Sequence, residues 1–389
     1  RHEDRFEVMI VSLTLLPHKS VFGLISIFLS TTHILPQLLM SSPSIEEVKD
    51  NLTEVCKTLD GKEWVLGNAS LSNKGYANLG NVLTSYCHLR YLDASNNELG
   101  SLETEEEAVA ETEVEEEEEA APPAEEEGEA TEAVAEKVKA AHSLQALTGL
   151  TSLLALNLST NSILSFPKDL VLPNVQIINV KTNRMKSIPF NSESTPTLIN
   201  LDVSENALTS VAGLDGISTL RMLSMNDNAT ITSLSGLGNL SGLEQLNCAT
   251  CDIQDLNGLE GLTRSFLELD VSSNKIASLE PLNLCSDNLN GLKVINVSNN
   301  AIENLEELIH LASLKKLISI DLSGNPIADV DEFRTEVVMR VPNLQMINGV
   351  DVTLEERNNA KALSQQRKEE AAAAAAAAAE AAAAEEEEA

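Results

Sequence analysis

Basic and aromatic residues are scarce in this sequence. Against 60 Asp and Glu, the 389 residues include only 26 Lys and Arg, so the formal net charge is −34. A chain this acidic is repelled by the phosphates of nucleic acids and by anionic membrane surfaces, and basic proteins or basic tails are better electrostatic partners. Aromatic residues make up 3% of the chain, so aliphatic side chains must supply most of the core.

Cysteine is also scarce and irregularly spaced. The five cysteines are odd in number, so a secreted disulfide framework is not supported and a reducing compartment is favoured. Cys248 and Cys251 have CxxC spacing. We expect both to be buried core residues, because they occupy inward positions of the repeat described below. The alternative, a redox or metal pair, has no second pair and no nearby His cluster to support it.

Long apolar runs are missing as well. The runs Met9 to Leu16 and Val21 to Leu29 are shorter than the roughly 18 to 20 residues that span a bilayer. Residues 1–39 do not resemble the rest of the chain. We prefer to interpret them as an upstream or non-native extension, and a cleaved signal or a membrane-associated helix are the alternatives.

One pattern recurs along most of the chain. Leu198 to Leu208 reads L-x-x-L-x-V-x-x-N-x-L, a unit of a leucine-rich repeat. Alternation around Leu201 predicts a short strand, and the apolar residues that follow at a spacing of three predict a 3₁₀ turn or short helix. The Asn of the unit recurs at Asn97, Asn161, Asn183, Asn206, Asn228, Asn274, Asn300 and Asn325. In one further unit Cys251 stands at this position.

These units predict an α/β leucine-rich repeat solenoid over residues 81–330. It should contain about nine short repeats, with a parallel concave sheet and a convex side of 3₁₀ turns and short helices, because one unit cannot bury its own leucine face. From Asn161 onward the spacings are 22, 23, 22, 23, 23, 26 and 25 residues, too short for long convex helices. The buried Asn side chains should bond the backbone of neighbouring loops.

A solenoid needs a cap at each end. Over residues 40–80 the capping box Ser44-Ile45-Glu46-Glu47 predicts a helix running towards Lys57, with Trp64 and Tyr76 covering the first repeat. Residues 331–352 predict a C-terminal cap made of a helix, a strand and a turn. Over residues 353–389 a second capping box opens an Ala/Glu-rich helix, which should project from the body because it lacks a sustained apolar stripe.

An acidic insertion, residues 103–140, interrupts the repeats. Residues 103–137 contain seventeen Glu, so this tract should be disordered. The pattern breaks off at Leu102 and resumes at Leu144, which makes the tract a loop insertion within one repeat. It is either a tolerated, solubilising insertion or a flexible acidic arm for basic partners.

The repeat also predicts which side chains line the concave face. The central row should be Asp93, Asn157, Asn179, Asp202, Ser224, Asn247, Asp270, Asn296 and Asp321, and the row beside it Tyr91, Ala155, Ile177, Asn200, Met222, Gln245, Glu268, Val294 and Ser319. Neither row contains His, Cys or a nucleophile–base pair, and the acids lie in different repeats, so a paired-carboxylate site is not expected. We predict a polar face with bonds between rungs, no enzyme and no cofactor. Metal binding by the Asp/Asn ladder is the alternative.

Apolar groups on an otherwise polar face mark contact points for a partner. On this ground we select Tyr91, Ile177, Met222 and Val294 as protein-binding candidates. The acids of the central row, Asp93, Asp202, Asp270 and Asp321, are added as candidates.

Two parts of the chain resemble known families. The short repeat and the cap from Asn325 to Asn348 are similar to a broad family typified by a phosphatase regulator and by the leucine-rich axonemal dynein light chain. Cys56-Lys57-Thr58, Gly61 and Leu83 to Asp93 resemble the leucine-rich repeat proteins of ciliary radial spokes. That resemblance continues to about residue 360 and departs in the acidic insertion, the poly-Ala tail and residues 1–39.

The resemblance implies a non-enzymatic scaffold in the axoneme of a cilium or flagellum, otherwise in the cytoplasm, binding radial-spoke or other axonemal subunits. Two alternatives stay open. One is a regulatory module whose concave face grips a protein phosphatase. The other is a secreted or cell-surface recognition module that uses residues 9–39 as a signal.

Overall fold

The computed structural model describes residues 42–57, 63–101, 143–214 and 216–388. The predicted extension over residues 1–39 and the acidic insertion over residues 103–140 lie outside the described residues. Nine three-residue strands form the rungs of a leucine-rich repeat solenoid, as predicted. They are Tyr91–Asp93 (β3), Ala155–Asn157 (β4), Ile177–Asn179 (β5), Asn200–Asp202 (β6), Met222–Ser224 (β7), Gln245–Asn247 (β8), Glu268–Asp270 (β9), Val294–Asn296 (β10) and Ser319–Asp321 (β11).

The rungs are parallel and pair in exact chain order. Tyr91 is in register with Ala155, so β3 and β4 are neighbours although the acidic insertion separates them in sequence. The middle residue of every rung is an aliphatic side chain no more than 2% exposed. These residues stack into one continuous core: Leu92, Leu156, Ile178, Leu201, Leu223, Leu246, Leu269, Ile295 and Ile320.

The repeated Asn bonds the backbone of neighbouring loops, as expected. Asn228 is fully buried and donates to the carbonyls of Val203 and Met225 at 3.1 and 2.9 Å. The side-chain oxygen Oδ1 of Asn228 accepts a hydrogen bond from the Leu208 backbone amide at 3.1 Å. Each turn of the solenoid is thereby joined to the one before it, and the buried backbone groups find partners.

The convex side consists of turns and short helices. The 3₁₀ helices are Val82–Tyr86, Gln145–Gly149, Leu237–Asn239, Leu305–Leu311 and Pro326–Asp329, and one short α-helix (α2) spans Glu280–Leu284. The unit that begins at Leu198 forms single turns rather than a helix, in agreement with the predicted 3₁₀ turn. The Ile217 amide bonds to the Leu214 carbonyl and the Leu220 amide to the Ile217 carbonyl, three residues before each. Its apolar residues at a spacing of three are buried.

The N-terminal cap is mainly a β-hairpin, so the helix predicted to run towards Lys57 is too long. The Ser44 capping box is present, but the helix α1 covers only Ile45–Asp50. The chain then forms Leu52–Lys57 (β1), which pairs antiparallel with Trp64–Ser70 (β2). Alternating β-branched residues in β1 favour a strand, and pairing with β2 outweighs the local helix signal.

This hairpin extends the sheet, because β2 pairs in parallel with β3. Tyr76 is 4% exposed and packs into the core of the cap, as expected. The side chain of Trp64 lies outside the described part of the structure.

The C-terminal cap contains a helix and a tight hairpin. The helix α3 spans Phe333–Arg340, and the hairpin strands are Met346–Ile347 (β12) and Val350–Asp351 (β13). Asn348 and Gly349 at the turn have φ of 52° and 74°, the conformation of a type I′ turn. Asn348 also accepts the Leu322 amide at 2.8 Å and so continues the Asn ladder into the cap.

The chain ends in a helix of 35 residues, Leu354–Glu388 (α4). Thr353 and Glu356 form its predicted capping box. The base of α4 packs on α3, with Ala360 buried and Arg357 donating to the Pro342 and Leu344 carbonyls. From Lys368 to Ala376 the side chains are exposed. Within the described ranges, no helix combines the length and apolar character needed to cross a membrane.

Candidate functional site

Strand register places both predicted rows on the concave face. Asp93 aligns with Asn157, Asn157 with Asn179, and the alignment continues rung by rung to Asp321. The row beside it runs in the same way from Tyr91 to Ser319, and extends to Asn68 in β2 and Met346 in β12.

The central row is held by local hydrogen bonds. The Oδ1 atom of Asp93 accepts the backbone amide of Ser95 at 3.0 Å, two residues further along. Asn157, Asn179, Asp202, Asp270, Asn296 and Asp321 make the same bond in their own repeats. Either Asp or Asn can therefore fill a rung, since each supplies the oxygen that the turn requires.

Some rungs are also bonded to each other, as expected. Asn157 donates to Asp93 Oδ1 at 3.1 Å, Asn247 to Ser224 Oγ at 3.3 Å, and Asn296 to Asp270 Oδ2 at 3.1 Å. Among the described residues, no group of three or more His, Cys, Asp or Glu has metal-binding geometry. The central row thus has a structural explanation without a metal.

The CxxC pair fits the core interpretation better than redox chemistry. Cys248 is fully buried, but Cys251 is only half-buried, which corrects the expectation that both are buried. Asn206 and Asn274 are half-buried at the same position of their repeats. Burial raises the pKa of both thiols, that of Cys248 well above its usual value. Both cysteines are therefore poor sources of the thiolate that redox or metal chemistry needs.

The two concave rows carry acidic groups and no basic group. Five acids occur in them, namely Asp93, Asp202, Glu268, Asp270 and Asp321. Lys181 lies in the turn that follows β5, beside the two rows, and forms an ion pair with Glu205 at 2.9 Å. Hydrogen bonding to Glu205 raises the pKa of Lys181, and the charges of Asp202 and Asp227 add to this effect. Asp202 therefore has a cation nearby.

The predicted apolar candidates are all exposed. Tyr91, Ile177, Met222 and Val294 are 45%, 46%, 39% and 37% exposed. Ala155 alone separates Tyr91 from Ile177 across the sheet, and Asn200 alone separates Ile177 from Met222. Val294 lies three strands beyond Met222, and Asp202, Asp270 and Asp321 are spread along the central row in different repeats.

A cavity of about 420 Å³ opens at the N-terminal end of the concave face. It brings together three predicted residues: Tyr91, Asp93 and Ile177. Ala155, Asn157 and Asn179 also line it; they were predicted in the two concave rows but not selected as binding candidates. Sequence reasoning missed the remaining residues that shape it, which are Thr53, Asn68, Ala69, Ser70, Leu92 and Leu156. The signal available in the sequence was Ala155, the smallest side chain of its row.

The hairpin continues the exposed apolar surface beyond this cavity. Val55 pairs with Leu66 across the hairpin. Val55 lies two residues after Thr53 in β1, and Leu66 lies two residues before Asn68 in β2. They therefore share the face of Thr53 and Asn68, and they are 65% and 44% exposed.

Comparisons of the sequence with known proteins agree with the repeat. Residues 237–377 match a family model described as Leucine-rich repeat. Leucine-rich repeat-containing protein 23 of Bos taurus is 26% identical over 327 residues, 84% of this chain and 81% of that protein. Dynein axonemal light chain 1 of Chlamydomonas reinhardtii is 39% identical over 66 residues, 15% of this chain and 33% of that protein. A solved structure of the functional domain of InlJ from Listeria monocytogenes has a TM-score of 0.46 and 16% identity, covering 77% of this chain and 59% of that chain.

Proposed function

We propose that the protein is a non-enzymatic scaffold for protein–protein interaction in the axoneme of a cilium or flagellum, positioned at a radial spoke. The observation that supports binding is the concave face. It presents exposed apolar groups beside acids, and its central row is held by local bonds. A surface of this kind is ready to receive a partner without rearrangement, which lowers the entropy cost of binding.

Sequence similarity supports the axonemal location. The stretches that resemble radial-spoke leucine-rich repeat proteins include Cys56 in β1 and Leu83 to Asp93, which leads into β3. These residues build the same end of the solenoid as the cavity and Tyr91. The similarity to a protein named as an axonemal dynein light chain points to the same compartment.

Fractionation of isolated cilia tests this function. The full chain with an epitope tag is expressed in a ciliated cell, and the cilia are treated with non-ionic detergent. We expect the tagged protein to stay with the axonemal pellet. Complete release with the detergent-soluble membrane and matrix would show that it is not an axonemal component.

A second measurement separates the scaffold from a phosphatase regulator. The tagged protein is released from axonemes with high salt and purified under native conditions. The scaffold predicts axonemal subunits and no stoichiometric phosphatase catalytic subunit. A stoichiometric catalytic subunit, with phosphatase activity in the preparation, would overturn the proposal.

A further inference from the structure

The cavity at the N-terminal end of the concave face combines an apolar notch with a carboxylate. Ala155 lies between Tyr91 and Ile177 in the same row. Strands are about 4.8 Å apart in a sheet, so the two large side chains are separated by roughly 10 Å. The small Ala155 side chain leaves a gap between them that is wide enough for an aliphatic chain.

One oxygen of Asp93 is open at the polar side of this notch. Its Oδ1 atom accepts hydrogen bonds from Ser95 and Asn157. Its Oδ2 atom accepts none within the described structure. Asp270 differs, because Ser272 and Asn296 occupy both of its oxygens.

The surroundings of Asp93 also favour a cation from outside. Among the residues that the structure describes, no Lys, Arg or His lines the cavity. Asp202 lies on the rung that places Asn200 between Ile177 and Met222, and it has Lys181 nearby. Of Asp93, Asp202 and Asp270, Asp93 is therefore the one that combines an open oxygen, an apolar notch and no cation in its cavity.

We propose that this notch receives an arginine side chain of a partner protein. The aliphatic part of the arginine would lie over Ala155, between Tyr91 and Ile177. The guanidinium would donate to Asp93 Oδ2 and stack on the exposed Tyr91 ring. Arginine fits better than lysine because its planar head combines several donors with stacking on an aromatic face. The inference rests on the proposed function, since it assigns a partner contact to the concave face.

Methyl NMR of the full chain tests the proposal at the site itself. Ala and Ile methyl groups are labelled with ¹³C, and N-acetyl-arginine amide is titrated in. We expect saturable shifts at Ala155 and Ile177 and none at Ile295, a core residue of a distant rung. N-acetyl-citrulline amide has nearly the same shape without the charge. It should bind about tenfold more weakly, because charge-assisted hydrogen bonds are roughly twice as strong as neutral ones.

Two pairs of variants identify the contacts. Asp93→Asn should abolish the preference for arginine over citrulline, whereas Asp321→Asn in the same row should keep it. Both variants should fold, because Asn already fills this row at Asn157 and Asn179. Ala155→Leu should fill the notch and abolish binding of both compounds, whereas Gln245→Leu, in the same row, should not.

Equal binding of the arginine and citrulline compounds would overturn the inference. Equal effects of Asp93→Asn and Asp321→Asn would overturn it too. The outcome of the cilia fractionation is independent of this test. If the protein binds arginine but leaves with the detergent-soluble fraction, the arginine site stands and the axonemal function is rejected. If the protein stays with the axoneme but shows no arginine selectivity, the axonemal function stands and the arginine site is rejected.

Discussion

Arg367 on the terminal helix α4 donates to the carboxylate of Glu336 on α3. The Glu336 side chain is only 4% exposed, and its other oxygen accepts from Arg340 on the same helix. Arg367 lies about four turns into α4, so this contact fixes a long stretch of the helix to the cap. The freely exposed part of α4 begins only after this residue.

Loss of the Arg367 contact should loosen α4. Arg367→Ala leaves the buried carboxylate with one arginine, and we expect it to lower the free energy of unfolding more than the control variant Lys368→Ala does. Part of the effect is screened because Arg367 is 44% exposed. Chemical denaturation gives the energy, and hydrogen exchange should show faster opening of residues 358–368. Lys368→Ala is the matched control and should change stability by less than about 0.5 kcal/mol; an equal loss in both variants would contradict the role of the ion pair.

Docking of the α4 base should weaken in acid. Hydrogen bonding from Arg334 lowers the pKa of Glu356 to about 2, and bonds from Thr353 contribute further. In Glu336, burial raises the pKa but the hydrogen bonds from Arg367 and Arg340 outweigh it, so the pKa is lowered. A lowered pKa in the folded state gives a stabilisation that is complete above about pH 4.5 and lost as the pH falls towards 2.

Hydrogen exchange of residues 353–360 between pH 5 and pH 2.5, corrected for intrinsic exchange rates, measures this effect. Glu356→Gln should remove most of the pH dependence in these residues. Glu355→Gln removes the neighbouring exposed carboxyl and should leave the pH dependence unchanged. The same pH dependence in both variants would show that Glu356 is not the group responsible.

The Asn ladder should be most sensitive where Asn is fully buried. Asn228→Ala leaves the Leu208 amide and the Val203 and Met225 carbonyls without their side-chain partner. We expect a loss of about 3 kcal/mol or more, since each buried unsatisfied group costs about 1–3 kcal/mol. Cys251→Ala removes only weak sulfur contacts to Met225 and Ala249 and should cost about 1 kcal/mol. Urea unfolding of both variants decides the point, and equal losses would refute the account of the ladder.

A strained backbone position precedes each ladder residue. Thr250, before Cys251, has φ of 55°, and Thr160 and Thr182 have φ of 56°. The left-handed conformation costs an L-residue about 1–2 kcal/mol, while glycine adopts it freely but loses more entropy on folding. Thr250→Gly should therefore raise stability by up to about 1 kcal/mol in thermal unfolding. Thr182→Gly should gain less, because it also removes a 2.8 Å bond to Glu205; destabilisation by Thr250→Gly would contradict this.

The repeat body was predictable because one local pattern determines it. An apolar residue in the middle of each strand and an Asn after it specify the register, and the rows from Asp93 to Asp321 follow directly. The position of Cys251 also has a local cause. The preceding repeat has an extra residue between Asn228 and the buried Ile231, whereas Asn206 and the buried Leu208 are separated by one. The Ile231 amide therefore bonds to the backbone carbonyl of Asn228 instead of to a side chain of the next repeat. This amide does not need the side-chain oxygen of an Asn at position 251, so Cys can stand there.

The cap and the cavity were harder to predict because they depend on distant pairing. The Ser44 capping box is local and correct, but it does not specify where α1 ends. That is decided by pairing of Thr53 with Asn68 and by the junction of β2 with β3. The notch likewise forms only because Tyr91 and Ala155 become neighbours across the acidic insertion.

The most direct test of concave-face binding compares two faces of the same protein in cilia. One tagged variant changes Tyr91, Ile177, Met222 and Val294 to Ser. The control changes two exposed convex residues to Ser: Leu284 and Ile309, 73% and 61% exposed. Both proteins are checked for folding by circular dichroism, and their retention in detergent-extracted axonemes is measured. The account predicts that the concave variant is lost to the soluble fraction and the convex variant is retained. Retention of the concave variant with loss of the convex one would contradict it.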